Sequence, residues 1–296
     1  MDYDTICGRV MVDIIPKHRF FDVQQCKIAE YAGRLCYNSI NRITEDSYKQ
    51  FLAKIQNNKH LSVLEHRTVV IRYSDRTCSA KKYYEDLSNI QTMMGILCPF
   101  RVIADSDFRN CYMITNYRYL LYLQSINSIY YSEDNTIDYN NWAMLNSMRK
   151  DTFELFEQNK RISVFVIAPI SITRELNRHR CLSISEQSTR YCKIGSDLIV
   201  DDMHTLNETI NKLFESTVRT AENAYQKLID ASVKAQHARE VLPLATISKA
   251  VYTGFVDQWE DVIRQRDTTA AHPKMRELIR SINKRELHYN TLDTIQ

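Results

Sequence analysis

Apolar residues recur three and four apart from Phe21 to Cys36, the spacing that gathers them on one face of a helix. A second helix is expected from Thr44 as N-cap, with Tyr48, Phe51, Leu52 and Ile55 on a common face. Thr68 to Tyr73 reads as a short strand, and Ala80 to Ile96 as a helix punctuated by Cys98-Pro99. The tyrosine-rich stretch from Phe100 to Lys160 predicts helices near Thr115–Ile126 and Met144–Gln158, around a polar loop at Ser132–Asn140. Ile162 to Ala168, apolar and β-branched before Pro169, gives the clearest strand, followed by a short helix over Ser171–Arg178. Leu206 to Ala231 is a long amphipathic helix behind Thr205. A strand near Thr246–Tyr252, a helix near Phe255–Arg266 and a helix opened by Pro273 complete the pattern. With no repeats or linkers, the expectation is one α+β domain over residues 1–296 with a large internal insertion at about 75–160.

Composition narrows the chemistry. A chain of 296 residues that is 44% hydrophobic and 25% charged can bury a substantial core. Its net charge of +3 demands no nucleic-acid partner. Five glycines exclude both GxGxxG and GxxxxGK[ST], so side chains must do much of any phosphate binding. The eight cysteines form no CxxC pair, and Met1–Pro16 lacks the basic region of a signal peptide. Free thiols in the cytoplasm are therefore expected. No window approaches the run of roughly eighteen apolar residues that a membrane span needs.

Charge density jumps just after the strand ending at Ala168, where Arg174, Glu175, Arg178, His179, Arg180, Glu186 and Arg190 crowd together. Ser183, Ser185, Ser188 and Thr189 add hydroxyls. Arginine forks match phosphate oxygens, and hydroxyls and backbone amides can complete such a cradle. A solvated helix end laced with surface ion pairs is the ordinary alternative. Position directly after a buried strand favours a ligand site as much as that alternative. His66 and His179 have no further ligand at metal spacing, so no metal is expected.

Arg178-His179-Arg180, seven residues and Ser188, continued by Thr189-Arg190-Tyr191, resembles the RHRx7S motif of flavin-dependent thymidylate synthases. His60-Leu61-Ser62-Val63-Leu64-Glu65-His66 is similar to the family's HxSxxEH segment, and Ala238-Arg239-Glu240-Val241-Leu242-Pro243 to its ARxxLP segment. Thr253-Gly254 through Trp259 to Arg266 resembles the helix whose arginine reaches the nucleotide. The resemblance implies a mixed sheet with long helices, assembled as a homotetramer. It also implies FAD as cofactor, with NADPH and methylenetetrahydrofolate as co-substrates. Ser62, Glu65, Arg178, His179, Arg180 and Glu186 would contact FAD. Glu175, Arg178, Glu186, Gln187, Ser188, Thr189, Arg190 and Arg239 would hold deoxyuridylate. Arg266 would sit against the pyrimidine as the catalytic cation, stabilising charge that develops on the ring. No cysteine nucleophile is implied, and none of the thiols has an evident activating partner.

The sequence departs from the family at several places. Glu175 replaces a usual glutamine, where a second carboxylate beside a phosphate would repel it. Ser185 replaces a common asparagine, and Phe255, Asp257 and Asp261 fall where many members place Asn, Arg and Asn for the flavin. Asp261 is retained as a flavin candidate. Asn116-Tyr117-Arg118-Tyr119-Leu120 resembles the NxRxL pattern missing downstream, which makes Asn116 and Arg118 candidate flavin contacts. Two further readings stay open behind thymidylate synthesis. One is a flavin-dependent hydroxymethylase acting on deoxyuridylate or deoxycytidylate. The other is a nucleotide-binding homologue without catalysis, against which the retained His179 and Arg266 argue.

Overall fold

The computed structural model describes residues 11–14, 21–74, 80–126, 148–194 and 207–284. The expected Ser132–Asn140 loop, the start of the Met144 helix and the Thr205 cap lie outside these residues. Along the chain run β1 (Met11–Ile14), α1 (Phe21–Cys36), α2 (Ser47–Asn57), a 3-10 turn over Leu61–His66, β2 (Thr68–Ser74) and α3 (Ala80–Met94). β3 (Phe100–Ala104), β4 (Asn110–Asn116), α4 (Tyr117–Ser125), α5 (Lys150–Asn159), β5 (Arg161–Pro169), α6 (Ile170–Leu176) and β6 (Ser183–Glu186) come next. α7 (Glu208–Asp230), α8 (Ala235–Ala238), β7 (Ile247–Phe255), α9 (Val256–Arg266) and α10 (Pro273–Ile282) complete the described order.

The class is α+β, and the strands form two sheets, ordered β1-β5-β7-β6 and β2-β4-β3. Every described pairing is antiparallel, which corrects the expected mixed sheet. The cause is the covering of the strands. Continuous apolar runs such as Ile162–Ala168 suggest strands buried on both faces, which parallel sheets commonly have. Here helices cover both faces of an antiparallel sheet. Ile162, Val164 and Val166 pack with residues of α6, α9 and α10, while Phe165 and Ile167 meet Ala32 and Leu35 of α1.

The second sheet is also covered on both sides. Val69, Ile71 and Met113 pack against Leu87 of α3 and Leu120 and Leu123 of α4. Val70, Ile103 and Ile114 meet Phe156 of α5 and, from the first sheet, Phe255. β3 and β4 form a hairpin that the hydrophobic pattern does not announce. At its turn buried Asp105 accepts hydrogen bonds from Asn110 (2.6 Å) and Thr152 (2.8 Å). β6 is likewise absent from the pattern, and Ser183–Glu186 is drawn out straight by pairing with Thr253–Ala250. Helix α2 starts behind Asp46 rather than Thr44.

Two long-range ties hold the segments around the charged stretch together. Buried His66 bonds through Nδ1 to Thr253 Oγ1 at 2.7 Å, and Thr253 meets Ser163 Oγ at 2.8 Å. Burial, with a contribution from the Arg161 charge, lowers His66 to a pKa of about 3, so the imidazole is neutral. Trp259, fully buried, donates from Nε1 to Ile162 O at 3.2 Å and anchors α9 to β5.

Candidate functional site

Strand β5 delivers the chain to α6, whose last residues begin the charged stretch. Arg266, at the end of α9, reaches back to it. Arg266 Nε donates to His179 Nε2 at 2.8 Å, its second terminal nitrogen donates to Glu175 O at 3.3 Å, and the Glu175 carboxylate lies 3.9 Å away. His179 is buried, and burial together with the Arg266 charge lowers its pKa and favours the neutral ring, while donation by Arg266 makes Nε2 the acceptor nitrogen. Glu175, the carboxylate in place of glutamine, thus has an arginine partner. Asp261 pairs with Arg264 and accepts from Gln265 Nε2 at 2.6 Å on its own helix. Its charge also reaches His179.

Strand β6 runs along two adjoining clefts. The first, about 380 Å³, is lined by Glu65, Asn116, Arg118, Arg161, Arg180 and Ser183, with Tyr119, Tyr122 and Phe255 among its aromatic walls. The second, about 600 Å³, is lined by Tyr37, His60, Ser62, Ser185 and Glu186. Arg118 borders both and is ion-paired to Glu65, so this pair stands where the clefts meet. Asn116 Oδ1 caps α4 by accepting from Tyr119 N at 2.9 Å.

Glu186 is held internally. Its carboxylate accepts from Thr173 Oγ1 (2.8 Å), Ser248 Oγ (2.5 Å) and Asn177 Nδ2 (3.0 Å), and Tyr252 steadies Asn177 at 2.8 Å. The turn after β6 forms a third group. Gln187 N donates to Lys249 O at 2.8 Å and Ser188 N to Cys36 O at 3.0 Å. Ser188 Oγ accepts from the amides of Arg190 and Tyr191, each at 3.3 Å. Arg239 donates to Thr189 Oγ1 at 3.0 Å, and the Arg190 guanidinium lies 5.1 Å from the Tyr191 ring centre. Arg178 is exposed on the turn between α6 and β6. The predicted residues therefore fall into three groups: the paired clefts, the Arg266–His179–Glu175 cluster, and the Ser188 turn with Arg239.

Comparison with known proteins bears on these groups. Residues 111–287, well over half of the chain, match the family described as thymidylate synthase complementing protein. The chain belongs to this family, that of the flavin-dependent thymidylate synthases. The flavin-dependent thymidylate synthase of Pseudothermotoga lettingae is 32% identical over 94 residues, 29% of this chain and 42% of that protein. That of Geobacter sulfurreducens is 36% identical over 84 residues, 27% of this chain and 36% of its own. That of Streptomyces avermitilis is 26% identical over 131 residues, 38% of this chain and 53% of its own. The chain spans about half the length, or less, of these curated relatives.

Two arginines that the motifs do not include also shape the site. Arg161 donates to Glu65 O at 2.7 Å and Ser183 Oγ at 3.2 Å, joining the Leu61–His66 turn to β6 at the floor of the first cleft. Burial lowers its pKa to about 10, against the opposing pull of Glu65, so it remains a cation. Arg101, almost wholly buried, grips both oxygens of Asp257 at 2.8–3.0 Å. Both guanidiniums lie on the Phe255 ring, at 4.4 Å (Arg101) and 5.5 Å (Arg161) from its centre. Asp257 and Phe255, two of the departures, are therefore part of a joint between β3 and α9. A signal did exist: Arg101 sits inside the apolar run Phe100–Ala104, where a charge implies a buried partner. Among the described residues no cluster of His, Cys, Asp or Glu could hold a metal ion.

Proposed function

We propose that this chain transfers a one-carbon unit from methylenetetrahydrofolate to C5 of deoxyuridylate, with reduction by FAD and NADPH, giving thymidylate. The observation that carries the proposal is the fixing of Arg266 by His179 and Glu175, which join two segments 87 residues apart in sequence. A cation held by a neutral imidazole keeps its full charge and a fixed direction, the arrangement that stabilises an anion developing on a pyrimidine ring. Ser188, Thr189, Arg190 and Arg239, with the Gln187 backbone, would grip the phosphate, and Arg178, exposed on the turn, would serve both ligands.

The clefts suit a flavin dinucleotide. Three guanidiniums oppose one carboxylate in the first cleft, aromatic side chains border it, and hydroxyls line the second. Ser62, Glu65, Asn116, Arg118, Arg180 and Glu186 would hold FAD, with His179 and Asp261 beyond the turn. When bound, FAD supplies the reducing equivalents taken from NADPH. Arg161 would hold Glu65 and Ser183 in register and exclude water from the cleft floor. The family resemblance makes a homotetramer in the cytoplasm the expected form, and Ile210 and Leu213, apolar and exposed on α7, are available for contacts between copies. The insertion at about 75–160 would then contribute a wall of the flavin site.

One observation favours a second reading, on a cytosine base. Arg266 and Glu175 side by side offer a donor next to an acceptor. Cytosine presents the complement, an N3 acceptor beside an N4 donor, and carboxylates accept well from cytosine N4. The test offers deoxyuridylate and deoxycytidylate together with FAD, NADPH and methylenetetrahydrofolate, and identifies the product by mass spectrometry. A methylated uracil nucleotide supports the first reading and a modified cytosine the second, whereas a hydroxymethylated uracil would count against both. Retained nucleotide with no product would sink both.

A further inference from the structure

Helix α4 carries two faces of different use. Leu120 and Leu123 are buried in the core of the second sheet, whereas Arg118, Tyr119 and Tyr122, three and four apart, line the first cleft. The rings form a ladder from the core outward. Phe100, 1% exposed, stacks on Tyr119 at 5.8 Å, and Tyr119 faces Tyr122 at 5.9 Å with 33° between planes. Tyr122 ends the ladder 54% exposed, beside the cleft-lining Leu97, which is 59% exposed.

We propose that Tyr122, backed by Tyr119, is a stacking platform for the planar heteroaromatic ring of an anionic ligand held by the arginines of the same cleft. Charge argues for a ligand over a protein surface as the occupant. Arg118, Arg161 and Arg180 face one carboxylate, Glu65, so the cleft favours an anion, and the platform stands at its mouth. A ring fixed from behind by two others loses little freedom when a ligand stacks on it. An aromatic side chain used in this way contributes on the order of tenfold in affinity. Three ligands of the proposed function share this chemistry: the flavin dinucleotide, the nicotinamide dinucleotide and the folate. The inference rests on that function only for the choice of these probes.

The experiment measures binding of FAD, NADPH and methylenetetrahydrofolate separately, to the wild-type chain, Tyr122→Ala and Tyr122→Phe, with sedimentation velocity on each protein. Tyr122 is exposed, so both variants should keep the wild-type circular dichroism spectrum. The expected result is that Tyr122→Ala weakens one ligand about tenfold or more and leaves the other two within twofold. Tyr122→Phe, which keeps the ring, should bind like wild type, and the ligand affected names the ring that stacks. Equal binding of all three ligands by Tyr122→Ala and wild type overturns the inference alone. A changed sedimentation coefficient with unchanged affinities also overturns it, because the platform would then be a contact between copies. A wild-type chain that binds none of the three overturns the proposed function, and this inference with it.

Discussion

Removal of the Asp257 carboxylate tests how the β3 segment is joined to the helix carrying Arg266. Arg101 is 2% exposed, and besides Asp257 its guanidinium has two carbonyl acceptors, Cys98 O at 3.0 Å and Phe100 O at 2.8 Å. In Asp257→Ala those carbonyls and the Phe255 ring remain, but the neutralising charge is gone. Loss of one partner from a fully buried pair costs about 3–5 kcal/mol, whereas a fully exposed pair contributes at most about 1 kcal/mol. The Asp257 side chain is 49% exposed, so water can replace part of what it supplied. The expectation between those limits is about 2 kcal/mol, a fall in Tm of roughly 3 °C for a chain of 296 residues. Arg101→Met combined with Asp257→Ala removes the stranded cation and keeps most of the stem volume, so the pair should recover about half of that loss. The assay is urea denaturation followed by circular dichroism, comparing midpoints at constant slope. An Asp257→Ala midpoint equal to wild type would refute the reasoning. A double variant weaker than Asp257→Ala would show that the two carbonyls, not the carboxylate, are what Arg101 serves.

The same geometry has other consequences. The His66 pKa falls from 6.5 to about 3 on folding, so above about pH 6.5 its contribution to stability is flat. Below that the unfolded chain takes up a proton that the folded chain refuses. Stability should drop toward pH 3 by up to about 1.4 kcal/mol per pH unit, and His66→Gln should flatten the slope measured by urea midpoints. His179 is shifted in the same direction and adds to that slope. Glu186→Gln turns an amide toward three donors and should cost about 2 kcal/mol in the same denaturation assay, with a wild-type midpoint counting against the network. His179→Ala leaves Arg266 without its 2.8 Å acceptor and should lower kcat about a hundredfold with little change in nucleotide affinity. An unchanged kcat would remove His179 from the positioning of Arg266. Gly254→Ala would drive a methyl group into Leu182 Cδ2 and cost about 1–3 kcal/mol, unless Leu182 finds another rotamer.

Local pattern carried the helices well, because each must hide one stripe. α1 spans Phe21–Cys36 as the spacing demands, and α10 opens on Pro273. β5 and β7 were legible as apolar runs, but their direction was not, since burial of both faces produces the same run in either kind of sheet. The hairpin β3–β4 was obscured by its own composition. Tyr112, Met113 and Ile114 satisfy a helical template as readily as a strand, and only pairing with β2 and β3 decides between them. The turn residues Asp105–Asn110 were the available signal.

The candidate site divides along the same line between local and long-range information. The RHRx7S stretch is contiguous, so its residues could be named from sequence, yet their grouping depends on strand registers that no short window contains. β2 pairs with β4 so that Thr68 faces Asn116, and Tyr117 N then donates to Arg67 O at 2.9 Å. That register lays the start of α4 beside the Leu61–His66 turn and sets Arg118 against Glu65. β5 begins at Arg161, opposite Phe255, and β6 places Ser183 opposite Thr253, so one guanidinium can reach both Glu65 O and Ser183 Oγ. A lone arginine ahead of a buried strand carries no trace of these partners. The registers do, and they predict that shifting β5 by one residue would scatter the first cleft while leaving the motif itself intact.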